Sequence, residues 1–368
     1  MKLTKFFAFA VAAIAFVGCG NEPTQTPAPT PDASGNLILK ADKTATTVGE
    51  VITFTVEDSN GQDLTSVAQI YDPEFNELTD KTFTTTETGE YGFFATYNGE
   101  TSNHLVVRFM ATLPELPEDV EPSNLVFNHR PIVIDHTGVN CGWCPSAMDE
   151  LRKLESSSWH GKYNEVTCHA GGYAGGDPAA STAATKLATF QSSKITGYPS
   201  IVINFNKKAE SYALSDIISA LNSVYKTDGA DVGISMAVTG DDDAVYCSAQ
   251  IKSAVAQEYY VNAWLLESNI YSPNQAGATK EYHKYYNYAL RNFSEEVTTA
   301  NISGVKIGTI AVGETYEYAC AIDMISNSWE ANNMGVLVVV SAKSANGGLE
   351  VVNSAYCKIN ETREYEYL

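Results

Sequence analysis

Basic residues are scarce in this chain. Lys and Arg number 23 against 44 Asp and Glu, a formal net charge of −21. Phosphate binding needs clustered Lys and Arg, so nucleic acid is excluded as a partner, and so is electrostatic attachment to anionic lipid. Long apolar runs are missing too: no stretch approaches the roughly 20 residues of a membrane-spanning helix. Seven cysteines are too few and too scattered for a small disulfide-stapled scaffold. There is no phosphate loop, no Ser-His-Asp order, no paired-carboxylate signature and no internal repeat. A lone Cys-x-x-Cys supplies two of the four ligands that structural zinc needs. Asp241-Asp242-Asp243 lacks the alternating ligands of a calcium loop and reads as a hairpin turn. No metal and no cofactor is expected.

The N-terminus is distinctive. Lys2 and Lys5 precede an uncharged apolar run, residues 6–17, which suits the core of a signal peptide. The run ends Phe16-Val17-Gly18-Cys19, which resembles the lipobox of bacterial lipoproteins. The resemblance implies that residues 1–18 are removed and that Cys19 carries the lipid. The alternative is ordinary secretion with cleavage nearby. Residues 19–35, rich in Pro and Thr, then form an extended tether. Only Glu22 stands near Cys19, so the periplasmic face of the outer membrane is favoured over the cell surface.

Patterning predicts three folded parts. Residues 36–109 alternate with period two, as in Ile52, Phe54 and Val56, and read as an Ig-like β-sandwich with Tyr91 at a tyrosine corner. Residues 110–124 are an acidic, Pro-rich linker. Residues 125–227 alternate strands at 130–137, 165–169 and 200–205 with helices at 145–157, 181–195 and 213–226, an α/β unit. Residues 228–368 return to strands, a C-terminal β-sandwich interrupted by a helix at 280–293.

The chemistry concentrates at Cys141-Gly142-Trp143-Cys144-Pro145, between the first strand and first helix of the α/β unit. Unpaired N–H groups and the positive dipole end of a helix stabilise a thiolate. Cys141 is the expected attacking thiol and Cys144 the resolving one. Cys168 is either a third redox thiol or a buried spectator. His136 is expected to fill a gap below the first helix and to lie near His169, but two histidines make no metal site. Cys247, Cys320 and Cys357 fall on apolar strand faces and read as core. The tyrosines at 282, 285, 286 and 288 are core or a binding patch.

On these residues, 125–227 resembles the thioredoxin fold. The resemblance implies that Asp135, six residues before Cys141, takes the proton of the resolving cysteine; a polar strand end is the other reading. It implies a cis bond at Pro199, with Tyr198, Pro199 and Trp143 orienting a substrate chain. Residues 125–366, with the stretch 281–291, further resemble the outer membrane protein 28-related lipoproteins of Bacteroidetes. Two functions follow as expectations. One is thiol–disulfide exchange on exported proteins with an envelope redox partner. The other is a redox-inactive binding or adhesion lipoprotein.

Overall fold

The computed structural model describes residues 37–298, 301–326 and 328–368. The expected signal peptide, lipidated Cys19 and tether lie outside the described residues.

Period-two patterning produces the N-terminal sandwich. The strand Ile52–Glu57 buries Ile52, Phe54 and Val56 and exposes Thr53 and Thr55. It pairs with Ile38–Ala41 and Thr82–Phe83, opposite a second sheet of Ala45–Thr47, Leu105–Met110, Gly89–Tyr97 and Gln69–Tyr71. Phe54, Ile70, Phe93 and Val107 fill the space between. The Tyr91 hydroxyl donates to the Glu87 carbonyl, 3.2 Å away. The immunoglobulin-like expectation reduces to this two-sheet sandwich. Arg108 ties it to the rest of the chain through Asp323 at 2.6 Å.

The next strand, Ile132–Thr137, is buried along its whole length. It runs parallel to Asn164–His169 and antiparallel to Ser200–Ile203. Successive side chains point to opposite faces. Val133 packs with Leu151 and Leu154 of helix α1 (Cys144–Glu155) and Ile217 and Leu221 of α3 (Leu214–Asn222). Ile132 and Ile134 pack with Ala184 and Leu187 of α2 (Thr182–Phe190). Two of the three helices carry a start signal in the sequence. Pro145 sits in the first turn of α1, where its missing N–H costs nothing. Ser181 caps α2 by accepting from the Ala184 N–H at 2.9 Å.

The expected central thioredoxin-like domain is overturned by the sheet. These strands are not a self-contained α/β unit. Asn164–His169 pairs in parallel with Ala289–Phe293 through Thr167 and Ala289. That strand continues antiparallel into Gln257–Glu267, Met334–Lys343 and Leu349–Lys358, giving one nine-stranded sheet. Its C-terminal half faces a four-stranded sheet of Thr315–Asp323, Ala244–Ser253, Val232–Gly240 and Glu361–Arg363. The described residues are strand-dominated and hold three α-helices. The error has a physical source. Residues 280–293 form no helix: a 3-10 turn at Glu281–Lys284 leads into Tyr285–Tyr286, and Tyr288 takes φ +54° before Ala289–Phe293. The segment read as a helix is the strand that welds the two halves.

Trp264 fills that weld. It is fully buried, its ring 5.5 Å from Phe293 and 6.2 Å from Phe205 of the α/β half. Trp264→Ala is expected to cost about 3–5 kcal/mol, with both halves unfolding in one shifted transition. Chemical denaturation followed by far-UV circular dichroism checks this; two separate transitions would contradict a single sheet.

Candidate functional site

Cys141 and Cys144 are joined in a disulfide with Cα atoms 5.4 Å apart. Cys144 opens α1, so the pair sits at the end of the helix where backbone N–H groups lack intrahelical partners. The strand Ile132–Thr137 delivers the loop, and the Cys141 N–H donates to the Gly138 carbonyl at 3.0 Å. Exposure is uneven. Trp143 is 70% exposed, whereas Cys141 is 1% exposed and Cys144 is fully buried.

A strap at residues 275–277 covers the pair. Gln275 Nε2 donates to the Cys141 carbonyl at 3.1 Å, and the Ala276 N–H to the Val139 carbonyl at 2.8 Å. Tyr286 holds Gln275 by donating to its Oε1 at 2.7 Å. Gly277, at φ +71°, lies so close that a Cβ there would stand 2.1 Å from the Gly142 carbonyl oxygen. Just beyond, Lys280 at 2.7 Å, His283 at 2.9 Å and the Tyr282 hydroxyl converge on Asp149 of α1. Burial opposes ionisation of Asp149, but these partners hold its carboxyl well below the usual range. From the other side, Asp177 Oδ2 accepts from the Val139 N–H at 2.7 Å and from His169 Nδ1 at 2.8 Å. Burial pushes Asp177 up, and the His169 and backbone hydrogen bonds outweigh it, so its pKa is lowered.

Asp135 lies on the α1 face of the same strand. It is 1% exposed, and its Oδ1 has no partner. Burial, helped by nearby Glu165, pushes the carboxyl up to about 8. Burial and Glu155 push Glu165 up to about 7. Asp135, Glu165 and Tyr286 line a cavity of about 220 Å³ under α1. The Tyr198–Pro199 bond is cis. Tyr198 and Pro199 line a second hollow of about 470 Å³, shared with Trp143 and Tyr212.

Other expectations change. His136 lies not under α1 but on the α2 face, paired with Gln191 at 2.8 Å. Burial pulls it down to about 4, so it is neutral. Registry explains this: His136 stands opposite Cys168, and Thr137 opposite His169, so the two histidines occupy opposite faces. Cys168 shares the α2 side, donates to the Ala184 carbonyl at 3.1 Å, and is raised by burial, a spectator thiol. Cys247 and Cys320 stand opposite each other as buried free thiols, with Cys357 in the same core. Asp241 caps its own hairpin, accepting from the N–H groups of Asp243 and Ala244 at 2.9 Å. Among the described residues no group of three or more His, Cys, Asp or Glu is placed to hold a metal ion. Sequence reasoning missed Gln275, Gly277, Asp149 and Asp177. Gly277 alone had a local signal, a Gly after Pro273-Asn274 in an otherwise polar turn.

Residues 188–363 match the family model of outer membrane protein Omp28. This supports a location in the outer membrane or cell envelope. The match begins inside α2, so Cys141, Cys144 and Asp135 fall outside it. Among solved structures, HBP35 of Porphyromonas gingivalis is similar, with a TM-score of 0.52 and 14% identity over 65% of this chain and 78% of that chain. At that identity the likeness concerns the fold alone. A beta-glucosidase of Kluyveromyces marxianus overlaps at a TM-score of 0.19 and 12% identity, over 45% of this chain and 20% of that chain, which carries no argument. No curated protein matches the sequence.

Proposed function

We propose that this envelope protein carries out thiol–disulfide exchange on exported proteins, anchored by lipid at Cys19 on the periplasmic face of the outer membrane. Asp135 carries the reading. An unpartnered buried carboxyl costs folding free energy, yet one is kept in the strand that leads into the disulfide loop.

In the reduced protein the Cys141 thiolate attacks a substrate disulfide. A Cys141–substrate bond forms, and the first substrate thiolate leaves and takes up a proton. Asp135, in the minority ionised form that its raised pKa leaves near neutral pH, then takes the proton of Cys144. The Cys144 thiolate attacks Cys141 Sγ, releases the second substrate thiol and closes the Cys141–Cys144 disulfide. The substrate gains two electrons, and a reduced dithiol protein of the envelope restores the pair. Trp143, Tyr198 and Pro199 border the hollow in which the substrate chain would lie. The strap at 275–277 must lift for each of these attacks.

The burial of Cys141 favours a second reading. The disulfide is then structural, and the protein is a binding or adhesion module. The full-length chain equilibrated in redox buffers separates the two. Exchange predicts a reversible couple between about −120 and −270 mV, with turnover lost in Cys141→Ser. A bond more reducing than about −300 mV would make it structural.

A further inference from the structure

The cavity under α1 contains more than proton exchange with a cysteine requires. Three carboxyl groups border it, Asp135, Glu155 and Glu165, together with the side chains of Tyr285, Tyr286 and Tyr288. Two polar atoms nearly sealed from solvent lack partners there: Asp135 Oδ1 and His169 Nε2. His169 is held through Nδ1 by Asp177, 2.8 Å away. The unpartnered Asp135 oxygen, the neighbouring carboxyls and the tyrosine rings that line the cavity call for positive charge with N–H donors. A cation already uses this chemistry at the rim, where the Arg152 guanidinium lies 4.2 Å from the centroid of the Tyr282 ring.

We propose that this cavity binds a small organic cation, an alkylammonium group, between the carboxyls of Asp135 and Glu165 and the tyrosine rings. An ammonium supplies three donors, one for the unpartnered Asp135 Oδ1 and the others for water or a single neighbouring acceptor, so it does not need three groups to converge. A bare metal ion fits worse, since no three ligating groups converge among the described residues. An anion meets three carboxyls and one guanidinium. The inference goes beyond the exchange reading and needs no turnover of the disulfide.

Ligand entry changes protonation. Without a ligand and below about pH 7, Asp135 and Glu165 favour their neutral forms. A bound cation favours the ionised forms, so binding expels protons and strengthens as pH rises. The other ionisable groups facing the cavity are Arg152 and Glu155 from α1, His169 from the strand Asn164–His169, and the tyrosines of 282–288.

Calorimetric titration of the oxidised full-length protein with n-butylammonium tests this. The probe stays charged at pH 9, as a lysine does. Affinity is expected to rise about tenfold or more from pH 6 to pH 9, with proton release seen on changing the buffer's ionisation enthalpy. Asp135→Asn and Glu165→Gln, near-isosteric changes, are each expected to weaken binding at pH 9 about tenfold. n-Butanol, the neutral counterpart, is the control that needs no variant. Equal binding of n-butanol, no binding of the cation, or affinity independent of pH would overturn the proposal. Because the disulfide stays closed throughout, failure here leaves the exchange reading untouched, and the reverse.

Discussion

Replacing Gly277 with alanine will open the disulfide to reductants. The added Cβ would stand 2.1 Å from the Gly142 carbonyl oxygen; the Cβ position is fixed by the backbone and the oxygen belongs to backbone, so no side chain can swing aside. The strap must move away. It then loses the hydrogen bonds from Gln275 to Cys141 and from Ala276 to Val139. At about 1 kcal/mol net each, plus the apolar cover they maintain, the open state gains about 2–3 kcal/mol. If dithiothreitol reacts only with that state, reduction should accelerate by about 30-fold to about 160-fold. Gly347→Ala is the matched control. Gly347 has φ +78° with nothing within 4 Å, so it carries the backbone penalty without the clash. Reduction rates read by thiol labelling decide the matter. Equal rates in wild type and Gly277→Ala, with Gly347→Ala alongside, would show that the strap does not control access.

Stability should fall steeply on the alkaline side. Asp135 and Glu295 are both sealed from solvent, each leaving one carboxyl oxygen unpartnered. Burial pushes each up to about 8, in Glu295 against the pull of Lys40. In the unfolded chain both ionise near 4. Between those values the folded state holds more protons than the unfolded state, so stability declines as pH rises. The contribution is whole below about pH 4 and lost by the time pH passes about 8. Each unit is about 1.4 kcal/mol per group, so each carboxyl removes several kcal/mol across the window. That is a large share of a typical folding free energy. The melting temperature of the oxidised protein should therefore drop between pH 5 and pH 8.5. Asp135→Asn and Glu295→Gln should each flatten the slope. A melting temperature that does not change over this range would refute the assignment.

The legible parts of the sequence were those written in local pattern. Ile52, Phe54 and Val56 declared their strand by period two, and Pro145 after a Cys-x-x-Cys marked the start of α1. The buried strand carrying Asp135 was evident from Ile132, Val133 and Ile134. The sheet that joins the two halves was not. Residues 281–293 mix tyrosines, charges and Leu290 at spacings that also suit a helix, and only pairing with Asn164–His169 and Gln257–Glu267 settles them as strands. Tertiary context outweighed local preference there. The strap was hidden for a similar reason. Nothing near Gln275 says that a partner 134 residues earlier awaits it. Strand parity, not sequence proximity to Cys141, decides which face His136 occupies.

The weld at Thr167 and Ala289 also sets an order of assembly. An exported chain reaches the envelope N-terminus first, and Thr167 must wait for residues about 120 positions later before its neighbour is present. Until then Asn164–His169 presents a bare parallel edge, the kind of surface that recruits foreign strands. Contacts this distant in sequence make for slow closure. Until residue 289 arrives, the first half of this sheet is present and unprotected. A chaperone that occupies this edge until residue 289 arrives would shield the newborn chain at its most adhesive point.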